Sequence, residues 1–435
     1  EFRAYLRCGI LAYGFARVVC PACQAEDLVG FSCKKRGVCP SCQGRRMADT
    51  AAHLVDHVLP RARYRQWTLS LPKRIRFRLV KDAQLLRDVR AIGLRKIFAY
   101  QRRRARELGV QGGQSASVTF TQRFGSALNL HPHFHHVVGD CVFTRHEDGS
   151  VRVVDLAEPS TAEVEKLVVQ IAKAVEKRVA EAPPPDVELE DDEDALMAQA
   201  RSESVQPRLL ASGSPEPKRR PRCAFVDGYS LDANVSVEAD DRAGLERLLR
   251  YGARPAFAHT RLELTATGKV AYRLKRPWHT GQTHVVLEPL AFLKRLVALI
   301  PPPRQNLTTY RGCLAPNAKL RRSVVKLCPK PETDDAQAEA TSAPLEPDES
   351  APPRRRLPWA QLLKRVFAHD LLVCTNCGGK RRVVAFLSER KPIQQILAHL
   401  GLPTEPPQVA AARAPPQAEL FDQRPDPDLG YTDSP

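Results

Sequence analysis

Apolar positions along this chain fall into blocks with two different periods. From Thr161 to Glu181 they recur at three and four, through Val164, Leu167, Val168, Ile171 and Val175, which predicts an amphipathic helix. The same period predicts helices over 47–58 (Ala51, Leu54, Val55, Val58) and about 82–108, where Leu85, Leu86, Val89, Ile92, Ile97 and Phe98 turn inward and the arginines outward. Alternation with period two predicts strands at Gln66–Leu71, Ala116–Gln122 and Phe134–Phe143, the last two pairing antiparallel across a Gly125-Ser126 turn. Further on, the pattern predicts a helix around 240–253, strands near 261–266, 269–274 and 283–287, and a helix at 289–299.

Stretches without either period divide the chain. Residues 1–46 form a small cysteine-rich module; 47–181 is a first structured stretch and 222–328 a second. Between them, 182–221 opens on prolines, carries an acidic run (Glu188 to Glu193) and leaves through basic residues, which marks a mobile insertion. Residues 329–356 read as a linker, 357–402 as a small module around Cys374 and Cys377, and 403–435 as a disordered tail.

Composition narrows the class. The 435 residues are 43% hydrophobic, enough for globular domains. No apolar run approaches the ~20 residues that span a bilayer, and no secretory signal is visible; a soluble, cytoplasmic protein is expected, with no membrane partner. The chain starts at Glu1 rather than methionine, which reads as a fragment or partial reading frame. Its 67 basic residues outnumber 49 acidic ones, for a net charge of +18. Runs such as Arg102-Arg103-Arg104 and Arg354-Arg355-Arg356 suit bidentate contact with phosphate, so the bias points to nucleic acid.

The cysteines point to metal rather than disulfides. Cys20-Pro21-Ala22-Cys23 and Cys39-Pro40-Ser41-Cys42 are two C-x-x-C turns, each aiming two thiolates at one ion, and together they predict a closed, structural tetrahedral zinc site. Cys33 is a candidate replacement ligand, or contributes with Cys8 to another site. Cys374 and Cys377 are half of such a site, with His369, His399, Cys313 or Cys328 as candidate partners, or a degenerate pair without metal.

Catalytic chemistry concentrates in Leu130-His131-Pro132-His133-Phe134-His135-His136-Val137-Val138. Four of the chain's 12 histidines lie in six residues. Period-two geometry puts His131, His133 and His135 on one strand face and Phe134, His136 and Val138 on the other. Imidazoles at i and i+2 can converge on one divalent cation, with Gln122 on the neighbouring strand or His131 as a third ligand. Isolated histidines such as His53, His57 and His284 read as packing residues. Among nine tyrosines, Tyr251 is the best nucleophile candidate. It lies about 110° around its helix from the Leu245/Leu248/Leu249 stripe, beside Arg247 and Arg254, although an ordinary rim tyrosine would look the same.

These residues resemble a known group. His133-Phe134-His135 looks like the His-hydrophobe-His (HUH) motif of single-strand endonucleases. The lead-in Arg123-Phe124-Gly125-Ser126-Ala127-Leu128-Asn129-Leu130 is similar to transposases of rolling-circle insertion sequences, the IS91 group. Phe31-Ser32-Cys33-Lys34 with Cys39-Pro40-Ser41-Cys42 resembles that group's zinc-binding domain, and Arg250-Tyr251-x-x-Arg254-Pro255 its nucleophile helix. Ala271 to Trp278 and Pro301-Pro302-Pro303-Arg304 match later segments. Arg247 stands four before Tyr251, so the chain resembles the single-tyrosine branch.

The resemblance implies an α+β fold: an HUH endonuclease domain with a central antiparallel sheet flanked by helices, preceded by the zinc module. It implies that Mg²⁺ or Mn²⁺ is held by His133 and His135, and that Tyr251 forms a 5′-phosphotyrosine link with single-stranded DNA at element ends. The released 3′-OH would prime the host replication machinery at the nucleoid, and Lys275 and Arg276 would help hold the DNA. A plasmid-type replication initiator or relaxase, and a catalytically decayed zinc-containing DNA-binding protein, are the competing readings.

Overall fold

The computed structural model describes residues 2–35, 37–146, 148–183, 220–277, 281–302, 305–329, 360, 362–364 and 370–408. The acidic run expected at 188–193, most of the insertion, the body of the 329–356 linker, His369, Trp278, Arg304 and the tail from 409 lie outside them.

In chain order the elements begin α1 (Phe2–Tyr5), β1 (Phe15–Val19), β2 (Glu26–Gly30), α2 (Pro40–His57), β3 (Tyr64–Ser70), α3 (Lys73–Lys81) and α4 (Ala83–Glu107). Next come β4 (Ala116–Phe124), β5 (Leu130–Gly139), β6 (Cys141–Arg145), β7 (Val151–Asp155) and α5 (Thr161–Glu181). After the insertion follow β8 (Cys223–Val226), β9 (Tyr229–Val237), α6 (Arg242–Gly252), β10 (Leu262–Leu264), β11 (Val270–Arg273) and β12 (His284–Leu287). The last are α7 (Pro289–Leu299), β13 (Thr308–Gly312), α8 (Arg321–Val325), β14 (Arg382–Leu387) and α9 (Arg390–His399). Among the described residues no helix is long and apolar enough to cross a membrane.

The chain forms two compact units, one from Glu1–Tyr5 and Lys34–Val373, the other from Leu6–Cys33 and Cys374–Pro435. This corrects the expected segmentation. The amino-terminal module at 1–46 and the carboxy-terminal module at 357–402 are not separate, because β14 pairs antiparallel with β1 from Phe15↔Leu387 to Val19↔Arg382. Residues 40–46, expected in the cysteine module, are instead the first turns of α2.

The larger unit is organised by a six-stranded antiparallel sheet in the order β13-β4-β5-β3-β9-β8. Strands from both sides of the insertion build it, so 47–181 and 222–328 share one sheet. Trp67, Leu69, Phe134, Val138, Leu231 and Ala233 point to a face covered by α3, α4 and α5. Tyr64, Val118, Phe120 and Val137 point to the opposite face, under α2 and α6. Each large apolar side chain buried this way contributes about 1.5–3 kcal/mol. The fold is α+β, a central antiparallel sheet flanked by helices.

Local chemistry sets the helix ends. Ser160 and Glu163 form a reciprocal capping box that starts α5. Asp82 caps α4 by accepting from the N–H groups of Gln84 and Leu85. The helix α3 was not anticipated: Ile75, Phe77 and Leu79 alternate with arginines as a strand would, yet Ile75 and Leu79, four apart, are the pair that is buried. The strand expected at Phe134–Phe143 breaks at Asp140. Its amide turns to donate to the Arg63 carbonyl, and β6 then leaves to pair with β7.

In the smaller unit β1 is the central strand of a β14-β1-β2 sheet. Phe15 is fully buried there against Ile393 and Leu397 of α9. Arg381, just before β14, forms an ion pair with Asp27 of β2.

Candidate active site

Two central strands and one helix assemble the site in the larger unit. β5 sits between β4 and β3, with Gln122 opposite His133, and Phe120 and Thr68 flanking His135 on either side. The period-two expectation holds for the histidine rings. His133 and His135 are neighbours on one face, with ring centroids 4.8 Å apart. His136 faces the other side, where its Nδ1 is 2.8 Å from the Thr119 hydroxyl.

The hydrogen bonds of the pair bear on which nitrogens can bind a metal. His133 Nδ1 lies 2.7 Å from the His131 carbonyl oxygen. A carbonyl only accepts, so Nδ1 carries the proton and Nε2 keeps its lone pair. His135 Nδ1 is 3.3 Å from Thr68 Oγ1, and its buried Nε2 has no partner among the described residues. Burial pushes the His133 imidazole down to about 4 and holds His135 well below the ordinary range. Both rings are therefore neutral near pH 7, the state in which imidazole ligates a cation. The nearby charges acting on them, from Arg76, Arg254 and Lys275, are all cationic.

The two tentative third ligands fare differently from expectation. His131 shares the face, 5.0 Å from the His133 ring. Among the described residues, however, it does not gather with His133 and His135 into a set of three donor atoms at metal-binding spacing. Gln122 is 2% exposed and both ends of its amide are engaged. Nε2 donates to the carbonyls of Tyr251 and Gly252 at 3.0 and 2.9 Å, and Oε1 accepts from Arg254 at 3.3 Å. In this structure Gln122 clamps the end of the tyrosine helix to the sheet.

That helix, α6, starts where Asp241 accepts from the Gly244 N–H, and buries Leu245, Leu248 and Leu249. It ends at Gly252, where an added Cβ would lie 2.5 Å from the Phe120 ring, so only glycine allows this approach to β4. Tyr251 is thereby left 41% exposed, its ring 5.4 Å from the His135 ring and nearly perpendicular to it at 86°. The Arg254 guanidinium lies 4.7 Å from the Tyr251 centroid and 5.2 Å from that of Phe124. Lys275, just past β11, has its ammonium 5.1 Å from the Tyr251 centroid. Partial burial there, with Arg254 and Arg261 nearby, pushes Lys275 down to about 8.

Of the other expected DNA-contacting residues, Arg247 pairs at 3.7 Å with Asp241, at the start of its own helix, and Arg276 is exposed and follows Lys275 in the chain. Sequence reasoning missed Thr68. The alternation Gln66, Thr68, Ser70 against Trp67, Leu69, Leu71 was the available signal, since it marks a central strand with one polar face.

The thiols require a correction. Cys20 and Cys23 do not gather with Cys39 and Cys42; their sulfurs lie with those of Cys374 and Cys377, all within 4.8 Å of one another. The register explains this: β1 ends at Val19, opposite Arg382 at the start of β14, so the turn after one strand and the turn before the other meet at one end of the sheet. Cys39 and Cys42 instead open α2 in the larger unit. Cys33 is not in the four-thiol group of the smaller unit either; its amide donates to Cys8 Sγ at 3.3 Å.

Two family models match the chain. Residues 117–322 match the family model described as "Putative transposase", a span that includes Gln122, His133, His135, Tyr251 and Lys275. Residues 1–71 match the transposase zinc-binding domain of the IS91 type, which includes Cys20 and Cys23. No curated protein and no solved structure matches the chain.

Proposed function

Because this chain belongs to the IS91-type transposases, which carry an amino-terminal zinc-binding domain, we propose that it nicks and rejoins single-stranded DNA at insertion-sequence ends through Tyr251. The observation that carries this reading is the packing of the Tyr251 ring on His135. A nucleophile candidate and a metal-ligand candidate more than a hundred residues apart in sequence are brought into ring contact. A rim tyrosine with only a packing role would not need arginine and lysine cations on its ring as well.

His133 and His135 fit a divalent cation: both are neutral, Nε2 is the ligating atom of His133, and the buried Nε2 of His135 lacks a partner among the described residues. Such a cation, Mg²⁺ or Mn²⁺, supplies Lewis-acid polarisation of the scissile phosphate. The residues of the chain do the rest. Arg254 and Lys275, the two cations over the Tyr251 ring, attract the phosphate to it. Tyr251 Oη attacks phosphorus as the bond to the 3′ oxygen breaks, so the DNA 5′ end is held as a phosphotyrosine and a 3′-OH is released. Rejoining is the reverse: a 3′-OH attacks the phosphotyrosine and Tyr251 leaves. No nucleotide cofactor is required, because the phosphodiester energy is kept in the covalent link.

The test is incubation of the protein and Mg²⁺ or Mn²⁺ with labelled single-stranded oligonucleotides carrying the sequences that flank the gene. A covalent protein–DNA band that disappears in Tyr251→Phe is expected. Cleavage that persists in Tyr251→Phe would replace the tyrosine with water, and binding without any cleavage by the wild-type protein would favour a non-catalytic DNA-binding role.

A further inference from the structure

We infer that Cys374 and Cys377 are the second half of a closed four-thiolate zinc site whose first half is Cys20 and Cys23, so that metal loading requires both ends of the chain. The zinc-binding family match stops at residue 71 and contains only the first half. Two cysteines cannot close a tetrahedron around zinc. The missing pair comes from more than 300 residues downstream.

The two turns are built alike. In the first, the Cys20 amide donates to the Ala25 carbonyl at 2.8 Å and the Gln24 amide to the Cys20 carbonyl at 2.8 Å. In the second, the Cys374 amide donates to the Gly379 carbonyl at 2.8 Å and the Gly378 amide to the Cys374 carbonyl at 2.9 Å. The residue after the second cysteine is left-handed in both, Gln24 at φ 56° and Gly378 at φ 71°. In each turn the leading sulfur accepts hydrogen bonds from the amides two and three residues on, Ala22 and Cys23 for Cys20, and Asn376 and Cys377 for Cys374.

The sulfur spacing selects zinc over a covalent cross-link. Cys20 Sγ is 3.6 Å from Cys377 Sγ, and Cys23 Sγ is 3.5 Å from Cys374 Sγ. A disulfide needs ~2.05 Å. Four sulfurs ~2.3 Å from one zinc stand ~3.8 Å apart, close to both separations. Each close pair joins one turn to the other, so neither turn makes a site alone. Binding releases the thiol protons and leaves no coordination position open, which makes the site structural.

One consequence is that a chain ending before Cys374 keeps the matched zinc-binding segment but cannot complete this site. The inference does not depend on the role of Tyr251.

The test compares zinc per chain, by elemental mass spectrometry, in the full-length protein, Cys20→Ser/Cys23→Ser, Cys374→Ser/Cys377→Ser and the quadruple variant. Each double variant should lose one zinc and the quadruple no more than one. Unchanged zinc in Cys374→Ser/Cys377→Ser, or loss of two in the quadruple, would overturn the inference. A second measurement uses the wild-type chain and avoids misfolded variants: iodoacetamide labelling, mapped by peptide mass, before and during zinc removal by a chelator. Cys20, Cys23, Cys374 and Cys377 should be protected with zinc bound and become reactive together as it leaves. Rapid labelling of Cys374 and Cys377 while zinc is still bound, or disulfide masses linking the two turns in freshly reduced protein, would refute it.

Discussion

Replacing Gln122 with methionine keeps the side chain's length and removes its amide. Two carbonyls then lose the donor that Nε2 provides at 3.0 and 2.9 Å. The Tyr251 carbonyl still has the Arg254 amide at 3.4 Å, so its loss is that of one net hydrogen bond, about 0.5–1.5 kcal/mol. The Gly252 carbonyl faces the space that the methionine thioether would fill, and stranding it costs about 1–3 kcal/mol. The sum, about 1.5–4.5 kcal/mol, falls on the junction that holds Tyr251 against His135. If about 1.4–2.7 kcal/mol of it is lost from the positioned transition state, covalent adduct formation slows about 10- to 100-fold. Gln122→Glu separates this role from metal ligation. A carboxylate has no donor for the two carbonyls and should be slower than Gln122→Met, whereas a ligand role would favour the carboxylate oxygen on Mg²⁺ or Mn²⁺. The assay is the single-turnover rate of the protein–DNA band at saturating metal. Gln122→Glu at or above the wild-type rate, with Gln122→Met inactive, would refute the clamp.

Further outcomes follow from the same geometry. Gly252→Ala should lift α6 from Phe120, costing about 1–3 kcal/mol in stability and most of the adduct signal, because a Cβ there meets the ring at 2.5 Å; wild-type behaviour in urea unfolding and cleavage would show the contact is soft. Asp140→Asn should destabilise the larger unit by about 3–5 kcal/mol. It removes the carboxylate that the fully buried Arg65 contacts at 2.8 Å and leaves Glu158 at 3.1 Å as the remaining one, which keeps the loss toward the lower figure. An unshifted urea midpoint by tryptophan fluorescence would contradict this. Arg254→Gln should lower single-stranded DNA affinity and reduce the slope of log affinity against log salt by about 0.7; an unchanged slope would mean Arg254 does not meet a phosphate.

Much of the site was legible because it rests on local periodicity. A β-strand alternates whatever surrounds it, so His131, His133 and His135 could be placed on one face, and His136 excluded, from the pattern alone, while the choice of His133 and His135 as the pair came from the family resemblance. The stripe of Leu245, Leu248 and Leu249 likewise set Tyr251 at the rim of its helix. Other signals were present but ambiguous. In α3 an arginine at every second position imitates a strand. At the β8–β9 hairpin, Asp227 and Gly228, both at positive φ, form the two-residue turn that Asp-Gly favours, yet the alternating Tyr229, Leu231 and Ala233 were not read as a strand.

Long-range partners were not legible. The spacing of two C-x-x-C pairs near the amino terminus suggested that they close on each other. Nothing in that spacing records that β14 lies beside β1, and this neighbour brings Cys374 and Cys377 to Cys20 and Cys23. Gln122 shows the same limit: its position opposite His133 was predictable, but whether its amide turns to a metal or to the end of α6 depends on a helix that arrives from beyond the insertion. By itself the sequence determined element types, the faces of strands and helices, and the residue chemistry on each face, because these follow from backbone geometry over a few residues. Only the tertiary structure decided which strand, helix end or thiol pair completes each site, because those contacts are selected by burial and register between segments that carry no local record of one another.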